Sequence, residues 1–480
     1  MTSPYKILFI KAGHGPQAIE VPLGIICLSA WLKHNLGDSV KIDFLDLRLE
    51  KQWARALEDK LAACCPDLIG LSLLSGDRPF LEVWPRFMKK HSPGSTIVIG
   101  GPLASYDYEE ILTENREIDF AVLGEGEISF LNLVRVLMNQ QTPGTLKGVA
   151  FLEKGALVRG GREEFIRDLD SLPRPDYTLI DLNRYTDHGY TMNGVLAEKK
   201  HVHIISSRGC PYGCLYCHDI FGKKFRPRSP ESFVGEIKWL YYQHGVREFH
   251  IVDDIFNLDK KRLREILNRI ISSDLKIKIA FPNGIRGDLL DETDIRLLRQ
   301  AGCYMITFAI ETASRRLQKV IKKNLEIDKA MANIELASRA GIITRSFFML
   351  GFPGETVAEI KSTISLAVNS PLDLVFFFSV VPFKNTGLER LAAREYPRLN
   401  SQDSHYWGQI PFYQQATGYP LKRTQILAYL KFYLPFRIWR TFRKLPHKRR
   451  IAASWLNMAL FIVFTRWYEN FQNRGQRRPL

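Results

Sequence analysis

Two runs of alternating strand and helix patterns, separated by a proline-rich connector, constrain this 480-residue chain more than any other feature. In the first run, "YKILFIK" (5–11), "VKIDFLD" (40–46), "DLIGLSLL" (67–74), "STIVIGG" (95–101) and "DFAVLGEGE" (119–127) read as five short buried strands. The segments between them, such as "LGIICLSAWLKHNLG", carry helical spacing. Such alternation predicts an α/β unit with a doubly wound parallel sheet over residues 1–140. Ligands of these sheets sit at the carboxyl ends of the strands. Here those ends hold Ser72, Ser75, Gly100, Gly101, Gly124 and Glu125. Two readings stay open: glycine lets a flat cofactor approach the backbone, or these are ordinary strand–loop turns.

Residues 141–200 read as a connector with a small hairpin, "GVAFLEKGALVRGG", followed by "DLDSLPRPDY". The second alternation runs through "HVHIISS" (201–207), "REFHIVDD" (247–254), "KIKIAFPNG" (276–284), "YMITFAIET" (304–312), "ITRSFFMLGFPG" (343–354) and "DLVFFFSVVPF" (373–383). Six units over 201–385 predict a partial (β/α)6 barrel with its site at the C-terminal strand ends. Asp253, Asp254, Asn283, Glu311 and Gly351 fall there. Residues 386–480 read as a mainly helical C-terminal region.

The chain has seven cysteines, too few for a disulfide scaffold at this length. Cys210, Cys214 and Cys217 stand in "SSRGCPYGCLYCHD", a C-x3-C-x2-C loop directly after the first barrel strand. Thiolates are soft ligands suited to iron–sulfur clusters or zinc. Three of them ligate three irons of a cubane and leave the fourth iron open. A zinc knuckle with His218 as fourth ligand is the alternative, but zinc modules draw their ligands as separated pairs. Cys27, Cys64, Cys65 and Cys303 are scattered and read as unreactive thiols.

This loop, with Tyr216 before its last cysteine, resembles the signature of the radical S-adenosylmethionine (SAM) superfamily. With the first domain, the chain resembles the cobalamin-binding radical SAM enzymes, a group of radical methyltransferases and anaerobic cyclases. The resemblance covers roughly residues 5–385. It implies that Cys210, Cys214 and Cys217 ligate a 4Fe-4S cluster whose open iron chelates SAM, and that reductive cleavage of SAM yields a 5′-deoxyadenosyl radical. It implies that Tyr216 contacts the adenine side of SAM through its backbone, that Asp253 and Asp254 receive the SAM amino group, and that Glu311 makes a polar contact. Gly351 and Gly354 of "GFPGE" would lie near adenine. The expected function is methylation of an unactivated carbon. The alternatives are cobalamin-dependent cyclisation or rearrangement, and a cobalamin- or redox-responsive regulator. An external donor such as flavodoxin or ferredoxin is the expected electron source.

Cobalamin domains that place a histidine under cobalt use D-x-H-x-x-G. His14 has no aspartate at that spacing, and "DSHYWG" (403–408) lies beyond the barrel. His-off cobalamin is therefore expected over residues 1–140, against "SLLSGD" (72–77).

The net charge of +16 is uneven. Residues 421–480 hold 14 Lys or Arg and one acidic residue, so that segment carries +13 and the rest about +3. The basic segment reads as a helical cap on the barrel, as a peripheral contact with an anionic membrane face through Trp455, Leu456, Phe461, Ile462 and Phe464, or as an RNA contact. Transfer-RNA methylthiotransferases share the barrel but add an N-terminal cysteine triad, which Cys27, Cys64 and Cys65 do not supply. Nucleic acid is therefore not expected; the expected substrate is a small molecule or lipid. The run Trp455–Phe464 is about half a membrane span, and "MTSPYKILFIKAGHG" does not read as a signal peptide, so the expected location is cytoplasmic.

Overall fold

A computed structural model describes residues 3–11, 13, 19–141, 144, 146–187, 195–397, 399, 411–433 and 437–448. His14, the 403–408 string and residues 455–464 lie outside the described residues.

The first sheet has seven strands: β1 (Tyr5–Lys11), β2 (Val40–Asp46), β3 (Leu68–Ser72), β4 (Thr96–Gly100), β5 (Phe120–Val122), β6 (Val149–Glu153) and β7 (Ala156–Arg159). Their order is β2-β1-β3-β4-β5-β6-β7. The first five pair in parallel, as expected of apolar runs buried on both faces. Ile7 and Phe9 point into one core layer, and Leu8 and Ile10 into the other. The strand order reverses between β1 and β3, with β2 added on one side of β1 and β3 on the other, so their C-terminal ends open the crevice where such folds bind ligands. The hairpin expected in the connector is corrected in one respect. It pairs antiparallel with β5 through Phe120–Phe151 and is an edge of the first sheet, not part of a free linker.

The barrel strands are β8 (His201–Ile204), β11 (Glu248–Ile251), β12 (Lys278–Ile285), β13 (Cys303–Glu311), β14 (Ile343–Leu350) and β15 (Leu374–Ser379). They lie in chain order, all parallel, with β8 and β15 at the two edges. Between β8 and β11 a two-residue ladder, β9 (Ser207–Arg208) with β10 (Arg226–Pro227), brackets the cysteine loop. Phe249, Phe308, Phe348 and Phe377 face outward under the helices.

The described part of the C-terminal region packs on the barrel. Helix Leu421–Tyr433 lies along β15, an edge whose backbone groups would otherwise lack partners. The Tyr429 hydroxyl meets Phe377 N at 2.9 Å and the Tyr433 hydroxyl meets Val375 N at 3.1 Å. Further along, Lys444 pairs with Asp373 at 2.9 Å, and His447 reaches the Ala197 carbonyl at the base of the barrel. No described helix is long and apolar enough to cross a membrane.

Candidate active site

The cysteine loop hangs at the C-terminal mouth of the barrel and is tied from several sides. Gly209 has φ +84°, and a Cβ there would collide with the Lys224 carbonyl oxygen. Its N–H donates to Asp254 at 3.0 Å. Leu215 N donates to Ile321 O, and Leu215 O accepts from Leu388 N. Arg286 lies over the Tyr212 ring at 4.2 Å. The loop therefore gets its shape from protein contacts before any ligand binds. Among the described residues no three His, Cys, Asp or Glu side chains converge on one metal ion. The three thiols are nonetheless electrostatic neighbours: burial pushes Cys217 up to about 12, and Cys214 and then Cys210 add to it. Three soft donors in one pre-shaped loop fit the corners of a cubane.

Around the loop the structure sorts the expected SAM residues. Glu311 ends β13 at φ +67°, after a register shift, so that its carboxylate turns toward the loop. Its Oε1 accepts from the Tyr216 hydroxyl at 3.3 Å and from Lys323 at 3.0 Å, and Lys323 also donates to the Tyr216 oxygen at 3.0 Å. The sequence reading missed Lys323, which sits in a run of lysines with no distinguishing spacing. Gly351 has φ +90°, and a Cβ there would lie 2.7 Å from atoms of Tyr413 and Leu421. Gly354 has φ +72°. The turn they form is braced by Glu355, which accepts from Gly351 N at 2.6 Å and Phe352 N at 3.0 Å.

Asp253 lies below the mouth. It is fully enclosed and accepts from Ser206 N, Ser206 Oγ and Ser207 Oγ at 2.5–2.7 Å, which clasps the exit of β8. With both oxygens engaged below the surface, it supports the loop and leaves Asp254 to face the mouth. Burial raises the Asp254 pKa.

Glu125 is engaged by the barrel domain. Its carboxylate accepts from Arg226 at 2.7 and 3.0 Å and from Ile166 N at 3.1 Å, and lies 3.2 Å from Arg208. Arg208 also pairs with Glu127 at 2.7 Å. Arg208 and Arg226 are opposite one another in the β9–β10 ladder. The two acids of the first domain thus neutralise paired cations beside the cysteine loop. Glu125 joins the domains.

At the crevice of the first sheet, two of the glycines serve the chain itself. Gly101, at φ +93°, would place a Cβ 2.7 Å from Leu73 O, and Gly124, at φ +65°, would place one 2.7 Å from Glu163. Gly100 is different, since a Cβ there would meet nothing nearer than Val122 O at 3.9 Å. Ser75 is exposed, Ser72 is half-buried, and Leu74 is 44% exposed. An exposed leucine beside small polar residues fits a large, flat ligand with a polar edge. Lys11, 3.6 Å from Asp77, lies buried at the end of β1.

The crevice faces the barrel mouth. Tyr106, in the helix after β4, stacks on His218 at 3.9 Å and accepts from Asp219 N. Glu20, after β1, lies 3.1 Å from His203 on β8. A cavity of about 350 Å3, lined by Tyr106, Gly124, Glu163, Asp219 and Lys384, separates the first sheet from the cysteine loop. The stray cysteines stand apart: burial pushes Cys27 and Cys303 up to about 12, and Cys65 is exposed at a helix end.

Residues 204–367 match the Radical SAM superfamily, and residues 16–134 match the B12 binding domain. The chain is 27% identical over 373 residues to "Uncharacterized methyltransferase PH0819" of Pyrococcus horikoshii, covering 77% of this chain and 79% of that one. It is 25% identical over 450 residues to the anaerobic magnesium-protoporphyrin IX monomethyl ester cyclase of Synechocystis sp., covering 92% and 87%. In fold it resembles the radical SAM methyltransferase TsrM of Kitasatospora setae, solved with cobalamin and a 4Fe-4S cluster, at TM-score 0.66 and 18% identity over 81% of this chain and 75% of that one. The thiol loop at a six-stranded barrel mouth, a 2-1-3-4-5 sheet turned toward it and both family matches place this chain among the cobalamin-binding radical SAM enzymes.

Proposed function

We propose that this protein reductively cleaves SAM and, with cobalamin, methylates an unactivated carbon of a small-molecule or lipid substrate. The observation that carries the proposal is the opposition of two cofactor-type sites. The cysteine loop and the crevice of the first sheet face each other across the Tyr106–His218 stack. When bound, the cluster supplies an electron and an open iron for SAM, and cobalamin supplies a carrier for a methyl group.

The chain's own residues hold and orient. Cys210, Cys214 and Cys217 hold the cluster. Asp254 and Glu311 offer carboxylates to SAM, and Lys323 fixes the Glu311 oxygen so that it does not rotate away. Gly351 and Gly354 keep the turn beside adenine narrow. Ser72, Ser75 and Gly100 border the cobalamin crevice, and no imidazole is required beneath cobalt. An external flavodoxin or ferredoxin donates the electron, and the protein works in the cytoplasm.

On helix Leu421–Tyr433, Ile426, Leu427 and Leu430 are 50%, 47% and 46% exposed beside exposed Lys422, Arg423 and Lys431. That pattern supports a peripheral contact with an anionic membrane face. Equal, negligible pelleting of wild type and a Leu427→Ser/Leu430→Ser variant with anionic vesicles at low salt would remove that part of the reading.

Trideuteromethyl SAM tests the reaction. Label carried into the product is the expected result. Unlabelled product with 5′-deoxyadenosine favours cyclisation or rearrangement, a reading supported by the long match to the cyclase.

A further inference from the structure

Outside the basic C-terminal segment, positive charge gathers on the two stretches that frame the cysteine loop. Residues 208–228 and 315–325 together hold ten Lys or Arg and one acid, Asp219. The rest of residues 1–420 is therefore net negative. The two stretches meet at the thiols. Leu215 N donates to Ile321 O at 3.0 Å, and Cys214 Sγ lies 4.0 Å from Lys322 O. On the other side of the loop, Cys210 N donates to Gly222 O at 3.3 Å, and the next residue, Lys223, donates to Tyr212 O at 3.0 Å.

Most of these cations serve the fold. Glu125 and Glu127 take Arg208 and Arg226, and Glu236, Asp328 and Glu359 take Arg228, Arg315 and Arg316. Lys323 is held by Glu311, and Lys223 lies 3.6 Å from Asp219. Lys224, Lys319 and Lys322 are left. All three are exposed, and their side chains meet no carboxylate among the described residues. Leu317 and Ile321 show why two of them point outward. Those apolar residues are buried against Leu215, Phe352 and Leu388, which leaves Lys319 and Lys322 on the solvent side. Unpaired surface cations contribute little to the fold, but together they set a positive field at the rim of the loop.

An electron passes between two redox centres only when they come close, so a donor's docking face has to border the thiols. The C-terminal segment carries more charge but leads away from them. Its described part starts at Leu421, against Gly351, runs along β15, and ends with Lys444 on Asp373 and His447 on Ala197 at the barrel base.

We propose that the rim formed by Lys224, Lys319 and Lys322 docks an acidic one-electron carrier protein, with the carrier's redox centre set against the Cys214 side of the loop. This names the partner surface of the enzyme proposed above and rests on that reading. The reduced carrier gives up one electron, the cluster held by Cys210, Cys214 and Cys217 takes it, and no atom is transferred. An RNA strand is the competing occupant.

The test uses full-length, cluster-reconstituted protein without SAM. An acidic flavodoxin and an acidic two-iron ferredoxin are titrated in by calorimetry, and the rate at which their reduced forms reduce the cluster is followed by stopped-flow absorbance. Wild type is expected to bind and react with both at low salt and to lose about tenfold in rate at high salt, where screening is strong. Lys319→Glu/Lys322→Glu should bind both carriers at least about tenfold more weakly and react correspondingly more slowly, whereas Lys319→Arg/Lys322→Arg should match wild type. Photoreduced deazariboflavin, which is small and uncharged, should reduce the cluster equally fast in all of them. If the double Glu variant fails to hold wild-type iron, Lys224→Glu reads the same rim from the other side of the loop, with about a threefold loss expected. Undiminished binding and rate in the variant that holds full iron, or equal slowing with deazariboflavin, overturns the proposal. So does binding of neither carrier by wild type, a loss found instead in Lys422→Glu/Arg423→Glu, or a single-stranded RNA that binds the rim more tightly than both carriers. None of these readouts depends on SAM cleavage, so a failed methyl-transfer assay and a failed docking surface remain distinct results.

Discussion

Replacing Glu125 by alanine tests whether the first domain's acids support the cysteine loop or touch a cofactor. Glu125 is 2% exposed, and its partners Arg208 and Arg226 are 7% and 5% exposed. The two arginines oppose each other across the β9–β10 ladder, where like charges repel. Without Glu125, Arg226 keeps the Ile166 and Phe221 carbonyls and the Phe165 ring but no carboxylate, and Arg208 keeps Glu127. Removing one partner of a buried pair costs about 3–5 kcal/mol. For a domain of this size that corresponds to a melting shift on the order of 10 °C. Scanning calorimetry of the cofactor-free protein should show that shift. Iron content after anaerobic reconstitution should also fall, because Arg208 lies two residues before Cys210. A melting point within about 2 °C of wild type, together with weakened cobalamin uptake, would refute the reasoning and return Glu125 to the cofactor site.

Other consequences follow from single contacts. Gly209→Ala needs φ +84° and drives a methyl into the Lys224 carbonyl, so reconstituted protein should hold well under half the wild-type iron, and full iron content would contradict the loop geometry. Burial pushes Glu355 up to about 7 from 4.5, so the folded protein keeps a proton that the unfolded chain releases between those values. Stability should therefore be complete below about pH 4.5 and fall by about 3 kcal/mol as pH rises to 7, a slope that Glu355→Gln should flatten in denaturant titrations at several pH values. Tyr433→Phe leaves Val375 N on the barrel edge without its side-chain partner and should cost about 1 kcal/mol by the same assay.

Much of this was legible in the sequence because parallel strands buried on both faces read as continuous apolar runs. All eleven expected strands formed, from "YKILFIK" to "DLVFFFSVVPF". The cysteine loop was legible because ligand spacing is local. What stayed hidden depends on long-range partners. Nothing near Glu125 signals that Arg226, 101 residues away, will claim it, and nothing near Asp253 signals the serines that clasp it. The glycines at the ends of β4 and β5 read alike, yet only the packed structure separates Gly100, which is open, from Gly101 and Gly124, which abut the chain.

The most direct test of the central claim is the yield of 5′-deoxyadenosine from SAM under strong reductant with anaerobically reconstituted protein. Wild type is expected to carry one cubane and form 5′-deoxyadenosine. The Cys210→Ala/Cys214→Ala/Cys217→Ala variant is expected to form none while retaining its fold by circular dichroism. Product from the folded triple variant, or none from wild type with a full cluster, would contradict the assignment.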